Sequence, residues 1–106
     1  MNKTSRAAAL ALMNHRRYRA GNTTVDVDPE GVAHLRLFGN RIAKHTPDGR
    51  VFITDAGWCT RTTQARLSEV LRFFHTGISR RSGRWLLTTG PWTGEWTEVY
   101  NQPKEE

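Results

Sequence analysis

Turn signals recur at short intervals through the first half of the chain, and they limit what it can fold into more than any other feature. Asp28-Pro29-Glu30-Gly31, Gly39-Asn40 and Thr46-Pro47-Asp48-Gly49 each place Pro, Asp, Asn or Gly where a reversal needs a fixed or a positive φ. Between them the period is two. Val25 and Val27 alternate with Asp26 and Asp28, and short apolar runs follow at Val32 to Phe38, Arg41 to Ala43 and Val51 to Thr54. Strands joined by reversals this tight can only be antiparallel neighbours, so the expectation is a four-strand meander, with Gly39-Asn40 as a two-residue hairpin turn.

On either side of the meander the pattern is helical. Ala7 to Met13 are good helix formers behind Thr4 or Ser5 as a cap, which predicts a helix to about Arg17, stopped by Gly21 and Asn22. Past Asp55-Ala56-Gly57-Trp58, Leu67, Val70, Leu71 and Phe74 fall on one face of a second helix capped by Thr60 or Thr62 and ended by Gly77. Ala65, Glu69 and Arg72 lie opposite, with Arg66 and Phe73 on a flank. Ile78 to Arg81 and Arg84 to Thr88 then flank Ser82-Gly83 as a hairpin, and Trp92 to Trp96 leads into a last strand ending near Tyr100. The predicted fold is α+β: a short N-terminal helix, a four-strand antiparallel meander and a C-terminal hairpin packed by one main helix. With 106 residues the chain holds one core and is read as a single domain, residues 1–106, its core roughly 23–100 and residues 1–20 a basic N-terminal helix.

The single cysteine, Cys59, excludes an intrachain disulfide and points to a reducing compartment. The apolar run from Ala7 to Met13 is short and is followed by Arg16, Arg17 and Arg19, which does not make a secretory signal. The same acid-free start has the composition of a mitochondrial presequence. No stretch is long enough to span a membrane, so a soluble protein with no membrane partner is expected.

The formal charge of +6 is unevenly placed. Lys3, Arg6, Arg16, Arg17 and Arg19 face no acid, the middle of the chain is nearly balanced, and Arg61, Arg66, Arg72, Arg80, Arg81 and Arg84 face only Glu69. The sign reverses at Glu95, Glu98, Glu105 and Glu106. Two basic blocks that converge in the fold would make a footprint for a polyanion, and arginine, 13 of the 16 basic residues, suits bidentate phosphate contacts. Solvation of a small protein explains the same charge equally well.

Cys59 beside a helix start and Arg61 is the candidate nucleophile, but His15, His34, His45 and His75 stand too far off in sequence to supply a predictable base. No metal spacing occurs, and no cofactor is implied. Thr60, Thr62 and Thr63 form a possible anion site at the start of the second helix, and simple capping explains them as well, with Gly57 easing the turn and Trp58 packed in the core. Arg61 and Arg66 beside the Arg80/Arg81/Arg84 hairpin resemble a helix and wing able to straddle a nucleic-acid backbone. Trp85, Trp92 and Trp96 are expected to serve mainly as core, with one or two exposed.

Leu37-Phe38-Gly39-Asn40-Arg41-Ile42-Ala43, Asp55-Ala56-Gly57-Trp58-Cys59-Thr60-Arg61-Thr62-Thr63-Gln64-Ala65-Arg66-Leu67 and the hairpin carrying Arg84-Trp85-Leu86 resemble a recurrent group of small bacteriophage proteins over roughly residues 23–88. The chain departs from that group at Phe38, where His is common, and at Ser68, where Asn is common. The resemblance implies a phage or prophage origin and action in the cytoplasm of a bacterial host, and it implies no activity. Together these readings predict a non-enzymatic binding module contacting nucleic acid (DNA or RNA) or a nucleoprotein through Arg16, Arg17, Arg19, Arg61, Arg66, Arg80, Arg81 and Arg84. The alternatives are an inhibitor of a host protein or defence system, acting as anti-CRISPR proteins do, and a small hydrolase or nuclease, for which no constellation speaks.

Overall fold

Consecutive hairpins build the main sheet, two closed by two-residue turns and two by five-residue turns. In the computed structural model, which describes residues 2–101, Tyr18–Ala20 (β1), Thr23–Val27 (β2), Ala33–Leu37 (β3), Asn40–His45 (β4) and Val51–Ile53 (β5) pair in chain order, each antiparallel to the next. Thr97–Val99 (β9) adds to β5 and completes six strands. Ile78–Arg81 (β6), Arg84–Leu87 (β7) and Gly90–Trp92 (β8) form a separate three-stranded antiparallel sheet. Lys3–Met13 (α1) and Arg61–Arg72 (α2) pack on each other, α1 lies over β1–β4, and α2 contacts both β4 and β6. The predicted α+β class, short first helix and main second helix are all present. The last strand, however, belongs to the large sheet rather than to the C-terminal hairpin.

Alternation along the strands explains the core. Val25, Ala33, Leu35, Leu37, Ala43, Val51 and Ile53 are buried under the helices and meet Leu12 of α1 and Leu67, Val70 and Leu71 of α2. Ala8, Ala9 and Ala11 are buried as well, so the core begins in α1 rather than at residue 23. Among the described residues no third layer covers the other sheet face, where Arg36 pairs with Asp26, Arg50 pairs with Glu98, and Lys44 lies 5.1 Å from the Phe52 ring centroid and 4.8 Å from that of Trp96. Glu105 and Glu106 of the expected acidic tail lie outside the described residues.

A left-handed histidine closes the chain reversal just beyond each helix. The first runs from an Asn2 cap, whose side chain accepts the Ser5 N–H at 3.1 Å, only to Met13. His15 then takes φ 52°, and Arg16 N–H returns to the Ala11 carbonyl at 2.9 Å, the long bond of a Schellman turn. Arg17 is therefore outside the helix, and the stretch expected to be its last turns leads into β1, with Gly21-Asn22 as the β1–β2 turn. His75, at φ 56°, closes α2 in the same way, with Thr76 N–H on the Leu71 carbonyl at 3.1 Å, so Gly77 is not the stop. His15 Nε2 and His45 Nδ1 are 3.0 Å apart, and burial, then the charge of His15, lowers the His45 pKa below 6.5. Unfolding therefore takes up a proton at His45 as pH falls through 6.5, so this contribution to stability is complete above that value and is lost as pH falls through the folded pKa. Thermal midpoints measured from pH 8 to 5.5 should decline below neutrality, and His45→Gln should flatten the decline. An equally steep decline in the variant assigns the loss to other groups.

The β3–β4 turn is Phe38-Gly39, not Gly39-Asn40, since Leu37 pairs with Asn40 and the two turn residues have φ 51° and 81°. A two-residue hairpin of this kind wants Asn or Gly first: a Cβ is crowded there, glycine has none, and the short polar side chain of asparagine offsets the crowding by hydrogen-bonding the local backbone. Phe38 is 72% exposed, so packing does not offset the crowding. Phe38→Asn should therefore stabilise the fold by about 1 kcal/mol and raise the thermal midpoint by roughly 5 °C. A lower midpoint would show that Phe38 makes a stabilising contact.

Candidate nucleic-acid interface

The segment from Asp55 to Thr63 organises the surface around the start of α2. Asp55 N–H donates to the Gly94 carbonyl at 2.9 Å, and its carboxylate accepts Gly57 N–H at 2.7 Å and Trp85 Nε1–H at 2.8 Å. Trp58 N–H closes the turn on the Asp55 carbonyl at 2.8 Å, with Ala56 and Gly57 both left-handed at φ 54° and 87°. This turn ejects Trp58, which is 60% exposed instead of packed in the core. The same carboxylate fastens the three-stranded sheet to the turn through Trp85, itself buried with its ring centroid 5.9 Å from that of Trp92. Of the three late tryptophans only Trp96 is exposed.

Capping absorbs much of the possible anion site. Thr60 is the N-cap of α2 and accepts Thr63 N–H at 3.2 Å, and the Thr60 and Thr63 hydroxyls bond each other at 3.0 Å. Thr63 is fully buried. Thr62 carries no such bond and lines a surface groove with Leu37, Phe38, Trp58, Thr60 and Thr63.

The arginines separate into three kinds. Arg66 is buried, 6% exposed, and donates to Thr23 Oγ1 at 2.9 Å, Ser5 Oγ at 2.8 Å and Asn22 Oδ1 at 3.3 Å. It belongs to the core rather than to a basic face, because the turn of helix that buries Leu67 and Val70 also turns Arg66 inward. Its burial lowers its pKa. Arg6, Arg36, Arg50 and Arg72 are matched to Glu69, Asp26, Glu98 and Glu69. The remainder include Arg61, exposed on the first turn of α2, and Arg81 and Arg84, which face each other across the β6–β7 register and make no ion pair or side-chain hydrogen bond among the described residues.

Strand alternation divides the hairpin. Arg80, opposite Trp85, turns toward α2 and donates to Gln64 Oε1 at 3.2 Å, whereas Arg81 and Arg84 project from the other face around the left-handed Ser82-Gly83 turn. Arg16 and Arg17 precede β1, and Arg19 lies on that strand opposite Thr24, so it points away from the helices. The small sheet is tied to the β5–β9 end through Asp55 and Gly94. Arg19 on β1 and the adjoining Arg16 and Arg17 thus lie at the opposite end of the large sheet from the hairpin, whereas Arg6 of the first block meets Arg72 of the second across Glu69.

Cys59 lies in a second groove with Asp55, Gly83, Arg84, Trp85 and Trp92, and no histidine lines it. His15 pairs with His45, and His34 with Asp28 at 2.8 Å, an interaction that also lowers the Asp28 pKa. Among the described residues no three His, Cys, Asp or Glu side chains stand together as metal ligands would, and no helix is long and apolar enough to cross a membrane. Sequence reasoning missed two features of this surface. Asp55 as its organiser was legible only as an Asp-x-Gly turn, and the exposure of Phe38 and Trp58 follows from left-handed backbone that hydrophobicity does not report.

A protein-family model described as Kyanoviridae Gp96 protein matches residues 1–103. The chain belongs to that phage protein family. No curated protein and no solved structure matches it. For this member of the Gp96 family, the small-phage-protein resemblance agrees at the level of the family, and the arginine and aromatic surface around α2 is the feature on which a function can be argued.

Proposed function

We propose that this phage protein is a non-enzymatic binding module that contacts nucleic acid through Arg61 and the Arg81/Arg84 pair. One observation carries the reading: two exposed arginines sit directly opposite each other on adjacent strands, and among the described residues neither is held in an ion pair, the carboxylate that shares a groove with Arg84 being the Asp55 side chain already engaged by Trp85 and Gly57. Like charges in that position destabilise a hairpin unless an anion lies between them. Phosphate oxygens satisfy such a pair, and the nearby Arg61 extends it along the start of α2. Arg80 is a supporting residue, fixing β6 to Gln64.

The test is fluorescence anisotropy of labelled duplex DNA, single-stranded DNA and RNA at several salt concentrations. Wild-type binding should fall steeply with salt. The double variant Arg81→Glu/Arg84→Glu should weaken it by roughly 10- to 100-fold and reduce the slope of log affinity against log salt by about two. Reversal of Arg16, Arg17 and Arg19, away from this surface, should cost much less. Unchanged affinity and slope in the double variant would sink the reading.

A second reading, inhibition of a host protein, is favoured by the groove between the helices, where Leu10 and Phe73 are exposed beside Arg6, Glu69 and Arg72. It requires one host protein to co-purify in near-equal amount and to be lost on Leu10→Glu.

A further inference from the structure

Beside the arginine surface lies a groove of about 460 Å³ between the Phe38 turn and the start of α2, lined by Leu37, Phe38, Trp58, Thr60, Thr62 and Thr63. Two of its walls are large aromatic side chains standing in water, 72% and 60% exposed. Each is presented by unfavourable backbone: Phe38 is itself left-handed, and Trp58 follows the left-handed pair Ala56-Gly57. Strain of this kind persists where the surrounding structure enforces it, and it clusters at sites that engage ligands. Neither side chain belongs to the core, whose buried aromatics are Trp85 and Trp92, with Tyr18 and Phe74 packed against it.

The charge around the groove selects the occupant. Among the described residues no acid lines it, and Arg61, exposed and without an ion pair or side-chain hydrogen bond there, stands between the lining residues Thr60 and Thr62, at the same end of α2 as the arginine hairpin. Aromatic faces flanked by arginines are the combination that holds an unpaired strand, with bases stacked on the rings and phosphates on the cations. In a duplex the bases are already stacked on one another and their faces are closed to side chains.

We infer that the Phe38–Trp58 groove stacks unpaired nucleobases, so that the ligand is single-stranded nucleic acid. This rests on the nucleic-acid reading above and adds the form of the ligand to it. The aromatic pair would set the preference for single strands, while Arg81 and Arg84 hold the backbone whatever its bases.

The experiment titrates the full chain against four labelled probes of equal length: single-stranded DNA, single-stranded RNA, duplex DNA and an abasic deoxyribose-phosphate strand. The expected result is at least a tenfold preference for the base-bearing single strands over duplex and abasic strands, with quenching of Trp58 emission that is absent in Trp58→Ala. Phe38→Ala and Trp58→Ala should each weaken single-strand binding by roughly 10- to 100-fold, and leave duplex and abasic binding unchanged. Phe38→Asn, which suits the turn and should not lower the thermal midpoint, must show the same loss, so that unfolding cannot account for it. Comparison of the DNA and RNA strands assigns the sugar.

Equal binding of all four probes, unaffected by the aromatic variants but abolished by Arg81→Glu/Arg84→Glu, overturns the stacking inference and leaves the nucleic-acid reading standing. Absence of salt-dependent binding to any probe overturns both. A dimer in sedimentation that dissociates on Trp58→Ala assigns the groove to a second copy and overturns the inference too.

Discussion

Replacing Arg66 with alanine should remove about 3 kcal/mol of stability, a fall of roughly 10–20 °C in the thermal midpoint for a chain of this length. The side chain is buried, and its three donors reach Ser5 on α1, Asn22 in the β1–β2 turn and Thr23 on β2. Hydrogen bonds from a charged donor are worth more than neutral ones, and their removal strands buried hydroxyls beside a void. The opposing term is the cost of burying a cation without a carboxylate, which shows as the lowered pKa of Arg66. Two further variants separate the terms. Arg66→Lys keeps the charge but cannot span three acceptors, and Arg66→Met keeps much of the volume without charge. Urea unfolding should rank alanine least stable, and methionine above lysine only if charge burial outweighs the hydrogen bonds. An alanine variant within 0.5 kcal/mol of wild type would mean that water replaces the guanidinium at no cost.

Gly94→Ala should cost a similar amount, about 3 kcal/mol, for a different reason. Gly94 holds φ 92°, and an added Cβ would lie 2.6 Å from the Asp55 carboxylate carbon. Backbone strain and overlap each cost on the order of 1–3 kcal/mol. Asp55 cannot retreat without releasing Trp85 and Gly57, so the displacement would pass to the three-stranded sheet. The variant should therefore unfold in less urea and expose Trp85 to a soluble quencher such as iodide. Unchanged stability together with unchanged quenching would show that the Asp55 hub yields without consequence. Asp55→Ala, which removes the obstacle, should partly restore Gly94→Ala, and the two effects should not be additive.

The meander was legible because its turns and its period-two strands are local signals, as was the stripe of Leu67, Val70 and Leu71. What escaped depended on contacts between distant residues or on unusual backbone. β1 is only Tyr18-Arg19-Ala20, too few residues to show a period, and its helix-like approach ends on a left-handed His15, a residue that carries no stop signal. The partner of β9 could not be known, since Thr97–Val99 pairs across the whole of α2 and the small sheet. Arg66 counts as surface charge in any sequence reading, and only the hydroxyls brought to it from α1 and β2 make its burial tolerable. The arginine hairpin was visible, but its division between two faces follows from the register Arg80↔Trp85 and Arg81↔Arg84.

The place of β9 bears on synthesis. β1 to β5 can pair with one another as soon as they leave the ribosome, each with its predecessor. The free side of β5 must then wait until α2, the three-stranded sheet and Thr97–Val99 have all been made. During that interval a nascent chain displays an unpaired strand edge at Val51–Ile53. Crowded translation, as when many ribosomes make this protein at once, would be the time at which neighbouring copies are most prone to join there, and faster elongation through residues 54–96 would shorten the exposure.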